Sequence, residues 1–115
     1  MNPAVVSALL LLTLPITAQA DTLASLEVEA RNLLAQGQSL DRTAGGACIQ
    51  KMRVLRPQVE RLQSRIEALP RTSADHLYLG LAANYLQLCV SCSERPGPEH
   101  CNEAASYLRK MESRR

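Results

Sequence analysis

Four cysteines (Cys48, Cys89, Cys92, Cys101) and two histidines (His76, His100) are the side chains of this 115-residue chain most suited to chemistry. Cys89-Val90-Ser91-Cys92 has the C-x-x-C spacing of thiol–disulfide oxidoreductases. Those enzymes place the motif at a helix N-terminus, where the helix dipole stabilises the thiolate. Here it closes an apolar helical stretch, where carbonyl oxygens oppose a thiolate, and the redox reading leaves Cys48 and Cys101 without a role. Cys89, Cys92, His100 and Cys101 make up a zinc ligand count, but neighbours such as His100 and Cys101 rarely both reach one tetrahedral centre, and the second C-x-x-C of a zinc ribbon is missing. Haem attachment requires C-x-x-C-H, and Ser93 follows Cys92. No nucleophile motif, Gly-rich phosphate loop or carboxylate pair beside a histidine is present. His76 and His100 each lie within a turn of a helix start, where a lone histidine is expected at the surface. Structural disulfides are therefore the expectation, without cofactor or metal. Thiol redox or metal binding through Cys89, Cys92 and Cys101 is the alternative.

Disulfides require an oxidising compartment, and the N-terminus supplies a route to one. Residues 1–20 carry no charged side chain, contain an apolar run over residues 4–14 and then Pro15, and end in Ala18-Gln19-Ala20. That pattern predicts a signal peptide cleaved after Ala20, with only the amino terminus as positive charge. The apolar run is shorter than the ~20 residues that span a bilayer, so no stable membrane insertion is expected after cleavage. The chain is expected to be periplasmic or secreted.

Residues 21–115 read as a single helical domain. The sequence has no Trp and no Phe, and beyond the leader Leu, Ala, Arg, Gln and Glu dominate, a helix-forming composition. The fold class is all-α: a small bundle of three to four antiparallel helices stapled by disulfides. Net charge is +2, with one Arg against four acids over residues 21–41 and seven basic residues against Glu60 and Glu67 over residues 42–71. With three Tyr and no basic–aromatic interleaving, nucleic acid is not an expected partner.

Leu23, Leu26, Ala30, Leu33 and Leu34 predict a first helix over residues 22–36, with Gly37 as its C-terminal cap. Ile49, Met52, Leu55, Val59, Leu62, Ile66 and Leu69 form a seam at three- and four-residue steps that keeps its phase across Pro57, which predicts one kinked helix. Thr72-Ser73-Ala74-Asp75 matches a capping box opening the next helix. That helix is apolar on nearly every side, so it is expected to be the central post. Its polar residues Gly80, Asn84, Gln87 and Ser91 share one narrow strip, which is either its exposed seam or the lining of a ligand or partner groove. Residues 93–97 form a turn, Pro98 starts the last helix, and residues 113–115 are expected to fray.

Four cysteines allow three connectivities. The hairpin turns favour Cys92–Cys101 with Cys48–Cys89, and leave Cys48–Cys92 with Cys89–Cys101 open.

Tyr78, Leu81, Ala82 and Tyr85, followed after a longer, cysteine-bearing loop by Ala104, Ala105, Leu108 and Met111, are similar to the large-small-large spacing of a tetratricopeptide helical pair. The resemblance implies an αα-hairpin used for protein contact. The expected function is that of an exported, non-enzymatic protein acting by protein–protein binding, of adaptor, chaperone or inhibitor type. The expected partner is another envelope protein, docked on the basic outer face of the second helix (Arg53, Arg56, Arg61, Arg65); self-association is compatible with the same scaffold.

Overall fold

The computed structural model describes residues 21–115, so the leader predicted over residues 1–20 lies outside the described residues. Within them the chain forms four helices and no strand: α1 Leu23–Gln38, α2 Gly46–Glu67, α3 Ala74–Cys89 and α4 Gly97–Ser113. None of these helices is long and apolar enough to cross a membrane.

Local chemistry explains most of the boundaries. Thr22 caps α1 through a reciprocal box, its Oγ1 accepting from the Ser25 amide at 3.1 Å while Ser25 Oγ accepts from the Thr22 amide at 3.0 Å. Gly45 enters α2 at φ 59°, a left-handed conformation that glycine adopts without Cβ strain. As expected, α2 runs through Pro57 as one helix. Its seam is mostly as predicted: Leu55, Val59, Leu62 and Ile66 are buried, and Met52 and Leu69 pack against them. Ile49 is exposed instead, because the bridged Cys48 takes the inward position at that turn. The α3 cap is one residue later than predicted. Ser73, not Thr72, accepts the His76 amide at 3.2 Å.

Gly37 departs from its expected role as a cap. The helix runs past it to Gln38, and Gly37 is buried against the disulfide at the end of α3, where an added Cβ would lie 2.8 Å from Cys89 Sγ. Close approach of two helices, not chain termination, requires glycine there.

Side-chain pairing fixes the packing order. Arg65 of α2 reaches Asp21 and Glu29, Gln63 reaches Asn84 and Gln87, and Cys101 of α4 reaches Cys89, so sequence neighbours run antiparallel. Consequently α1 and α3 point the same way. Each touches all three other helices, whereas α2 and α4 do not meet. The centre is thus a pair, α1 with α3, rather than α3 alone. Ala30, Ala82 and Ala104, all fully buried, allow the close helix approach that Leu26, Leu79, Leu86 and Leu108 fill.

The C-terminal tail is held, not frayed. Arg115 pairs with the buried Glu27 of α1, and Arg114 Nε lies 3.3 Å from Asp75 of α3. Glu27 also accepts from Arg31, which reaches on to Glu112 at 2.9 Å. Burial works against the Glu27 charge, but the hydrogen bonds from Arg31 and Arg115 outweigh it and hold its carboxyl below the ordinary value.

Two measurements check this packing. Gly37→Ala is expected to destabilise by about 1–3 kcal/mol through overpacking. Gly80→Ala, where an added Cβ meets nothing, should stabilise by about 0.5–1 kcal/mol, both read from urea midpoints. Because the folded-state pKa of Glu27 is depressed, its contribution is complete above the unfolded value of about 4.3 and is lost as pH falls through the folded value. Glu27→Gln should therefore lower stability at neutral pH and flatten the acid limb of the stability–pH curve.

Candidate docking face on the third helix

The disulfides settle on the less favoured connectivity. Cys48 pairs with Cys92 and Cys89 with Cys101, with Cα–Cα distances of 5.9 and 4.6 Å, and no cysteine is free. The expected Cys92–Cys101 pairing assumed that the helix continues through Cys92. Instead α3 ends at Cys89, which stays on the face turned to α4, one turn beyond Tyr85. The non-helical segment after Val90 then carries Cys92 across to α2. The C-x-x-C therefore never closes on itself: its two sulfurs bind different helices. Among the described residues, no group of three His, Cys, Asp or Glu side chains is placed to hold a metal ion.

Two arginines finish the same end. Arg42 Nη2 donates to the carbonyls of Cys89 at 2.9 Å and Gly37 at 3.3 Å, and lies 3.4 Å from Cys101 Sγ. It thus lies across the C-termini of two parallel helices, where a cation suits both dipoles and orphaned carbonyls. Gly97 makes room for it, since an added Cβ would stand 2.7 Å from Arg42 Nε. Arg56 Nε donates to the next carbonyl, Val90, at 3.2 Å.

That placement bears on the basic face of α2. Arg56 serves the end of α3, and Arg65 is held between Asp21 at 2.6 Å and Glu29 at 2.8 Å. The hydrogen bonds that Arg65 donates to Asp21 and then to Glu29 raise its pKa still further above its ordinary value. Arg53 and Arg61 are exposed and make no ion pair among the described residues. The face that remains open to a partner is narrower than the sequence pattern.

The histidines also differ from expectation. His76 is buried at 7% exposure, its Nε2 donating to the Ile66 carbonyl at 2.8 Å, which ties the start of α3 to the end of α2. His100 is half-buried and stacks on Tyr85, with ring centroids 6.0 Å apart. Tyr85 continues to Tyr107 at 5.8 Å, Tyr107 to Tyr78 at 6.4 Å, and Lys110 Nζ caps the Tyr107 ring at 4.7 Å. All three tyrosines thus form one wall along the α3–α4 hairpin.

On the opposite border of α3, Gln63 donates to Asn84 Oδ1 at 3.1 Å and Gln87 Oε1 at 3.3 Å. The polar strip therefore runs along α2. Gly80 and Asn84 line a groove of about 320 Å³ with Ile66, His76 and Ala83, and Leu77 and Leu81 line it as well. Between this border and the tyrosine wall lies the outward line of α3: Leu77, Leu81, Asn84 and Leu88, with Leu77 at 59% and Leu88 at 48% exposure. From His76 to Ser93 the chain has no Asp, Glu, Lys or Arg. The helix expected to be surrounded has one open side, and that side is aliphatic.

The sequence reading missed this stripe and Arg42. The stripe has a signal: Leu77, Leu81, Asn84 and Leu88 follow one another at steps of four, three and four, a second seam besides the buried one. Arg42 has none, because a loop arginine carries no periodicity.

Partial reduction under native conditions should label Cys48 and Cys92 together before Cys89 and Cys101. Cys92 is half-buried, whereas Cys89 and Cys101 are 0% and 2% exposed. Joint early labelling of Cys92 and Cys101 would contradict the pairing.

No family model matches the chain, and no curated protein or solved structure is significantly similar to it.

Proposed function

We propose that this is an exported, non-catalytic helical protein that works by binding another protein in the envelope, and that the open face of α3 is where it binds. The observation that carries the reading is the uncharged aliphatic line of Leu77, Leu81 and Leu88, which runs beside the tyrosine wall and supplies Leu77 and Leu81 to the α2–α3 groove. Large aliphatic side chains gathered on one open helix face beside a groove are the form of a helix-in-groove or helix-on-helix contact. The two disulfides suit an oxidising compartment, where such a small scaffold gains from covalent ties. Adaptor, chaperone and inhibitor roles all use a surface of this kind. The open pair Arg53 and Arg61 gives the competing surface on α2.

Chemical cross-linking in the native envelope separates the two surfaces. Leu77→Glu with Leu88→Glu should lower cross-linked yield at least about tenfold while leaving the thermal midpoint unchanged, because both positions are outside the core. Arg53→Glu with Arg61→Glu should leave the yield within about twofold. The reverse pattern would move the binding site to α2 and remove the proposed face.

A further inference from the structure

The groove between the end of α2 and the start of α3 holds two charges that their own helices disfavour. Glu67 is the last residue of α2, at the negative end of that helix dipole. Arg71 lies in the loop two residues ahead of Ser73, the cap of α3, near the positive end of that dipole. Both line the groove, yet neither makes an ion pair or a side-chain hydrogen bond among the described residues. This end of the groove is therefore dipolar. Glu67 and the α2 terminus attract a cation, while Arg71 and the α3 terminus attract an anion.

The rest of the groove adds a buried acceptor and an apolar bed. His76 is 7% exposed, and its Nε2 must carry the hydrogen that the Ile66 carbonyl, next to Glu67, accepts at 2.8 Å. Nδ1 is then the acceptor of the ring, and it has no hydrogen-bond partner among the described residues. Nor is it sealed in. The enclosed side-chain atoms left without a partner are Arg42 Nε and Asp75 Oδ1, so Nδ1 opens on the groove that His76 lines. Ile66, Leu77, Leu81 and Ala83 supply the apolar lining. Gly80 borders the same space: a mid-helix glycine weakens a helix, and an added Cβ there would meet nothing. The room that a side chain would take is left to the groove, whose volume of about 320 Å³ is at the small end for ligand pockets.

The two rim charges select the ligand chemistry. A hydrophobic anion would meet Arg71 but be opposed by Glu67, a hydrophobic cation would meet the reverse, and a neutral apolar molecule would leave both without a partner. A small zwitterion with an aliphatic body matches both charges and the apolar lining. We infer that the groove binds a free aliphatic α-amino acid. Its carboxylate pairs with Arg71, its ammonium with Glu67 and with His76 Nδ1 as second acceptor, and its side chain lies on Ile66, Leu77 and Leu81 beside Gly80. The site shares Leu77 and Leu81 with the docking face, but its ligand is recognised at the helix ends, so it does not depend on a partner protein.

Isothermal titration calorimetry of the oxidised protein with L-leucine, L-isoleucine and L-valine tests it. At least one is expected to bind with a Kd below about 1 mM. N-acetylation or amidation of that ligand, each of which removes one charge, should weaken binding at least about tenfold, as should Glu67→Gln and Arg71→Gln. Both positions are exposed, so the circular dichroism of these variants should match that of the parent. Gly80→Ala separates room for the ligand from folding: it should weaken binding at least about fivefold while raising the urea midpoint. No saturable heat from any of the three amino acids up to ~10 mM would overturn the inference. So would equal binding of the N-acetyl derivative, or binding indifferent to Glu67→Gln, Arg71→Gln or Gly80→Ala.

Discussion

The structure depends on how α3 ends. Its last turn leaves carbonyl oxygens without helical partners, and in a buried setting each such group is costly. Arg42 and Arg56, from a loop and a helix both distant in sequence from the end of α3, donate to the carbonyls of Cys89 and Val90. The two disulfides converge on the same few residues, one running to α2 and the other to α4. Because α1 and α3 are parallel, Arg42 also takes the Gly37 carbonyl at the end of α1. Every helix of the bundle is therefore tied, covalently or by a guanidinium, within one layer.

Tying one end has consequences at the other. The starts of α1 and α3 meet the ends of α2 and α4 there, and they are joined by weaker means: Glu27 with Arg31 and Arg115, Arg65 with Asp21 and Glu29, His76 with the Ile66 carbonyl. The exposed pairs among these are worth little individually, whereas the buried Glu27 needs both of its arginines to hold its charge. The disulfide end accordingly carries the covalent constraint, and the far end carries the buried, depressed carboxyl of Glu27.

How much of this was legible follows from which signals are periodic. The helices, the α2 seam through Pro57 and the all-α class came from spacing, which reports one face of one element at a time. The disulfide partners did not, because choosing between Cys89 and Cys92 depends on where α3 stops to within a few residues, and boundaries are set by capping groups that arrive from elsewhere. Gly37 was legible as a special position but not for the right cause: close approach to Cys89 leaves the same glycine as a helix cap does. The basic face of α2 looked uniform because charge spacing does not distinguish an arginine facing water from Arg56 or Arg65, which reach neighbouring elements. His76 was misplaced for the same reason, its acceptor lying on another helix.

The open face of α3 was hidden by an assumption about neighbours. A helix apolar on nearly every side reads as enclosed, yet a bundle in which α2 and α4 do not touch has only α1, α2 and α4 to offer α3. Those three cover the faces marked by Leu79 and Leu86, by Ala83 and Gln87, and by Tyr78 and Tyr85, which leaves the line of Leu77 and Leu88 uncovered. Four helices of this length cannot supply a fourth neighbour to the helix at their centre. An apolar residue at that position must face water or another chain, and exposing several in a row forgoes the burial energy that most of the core relies on. The apolar character of α3 therefore extends beyond the faces that the four-helix packing uses.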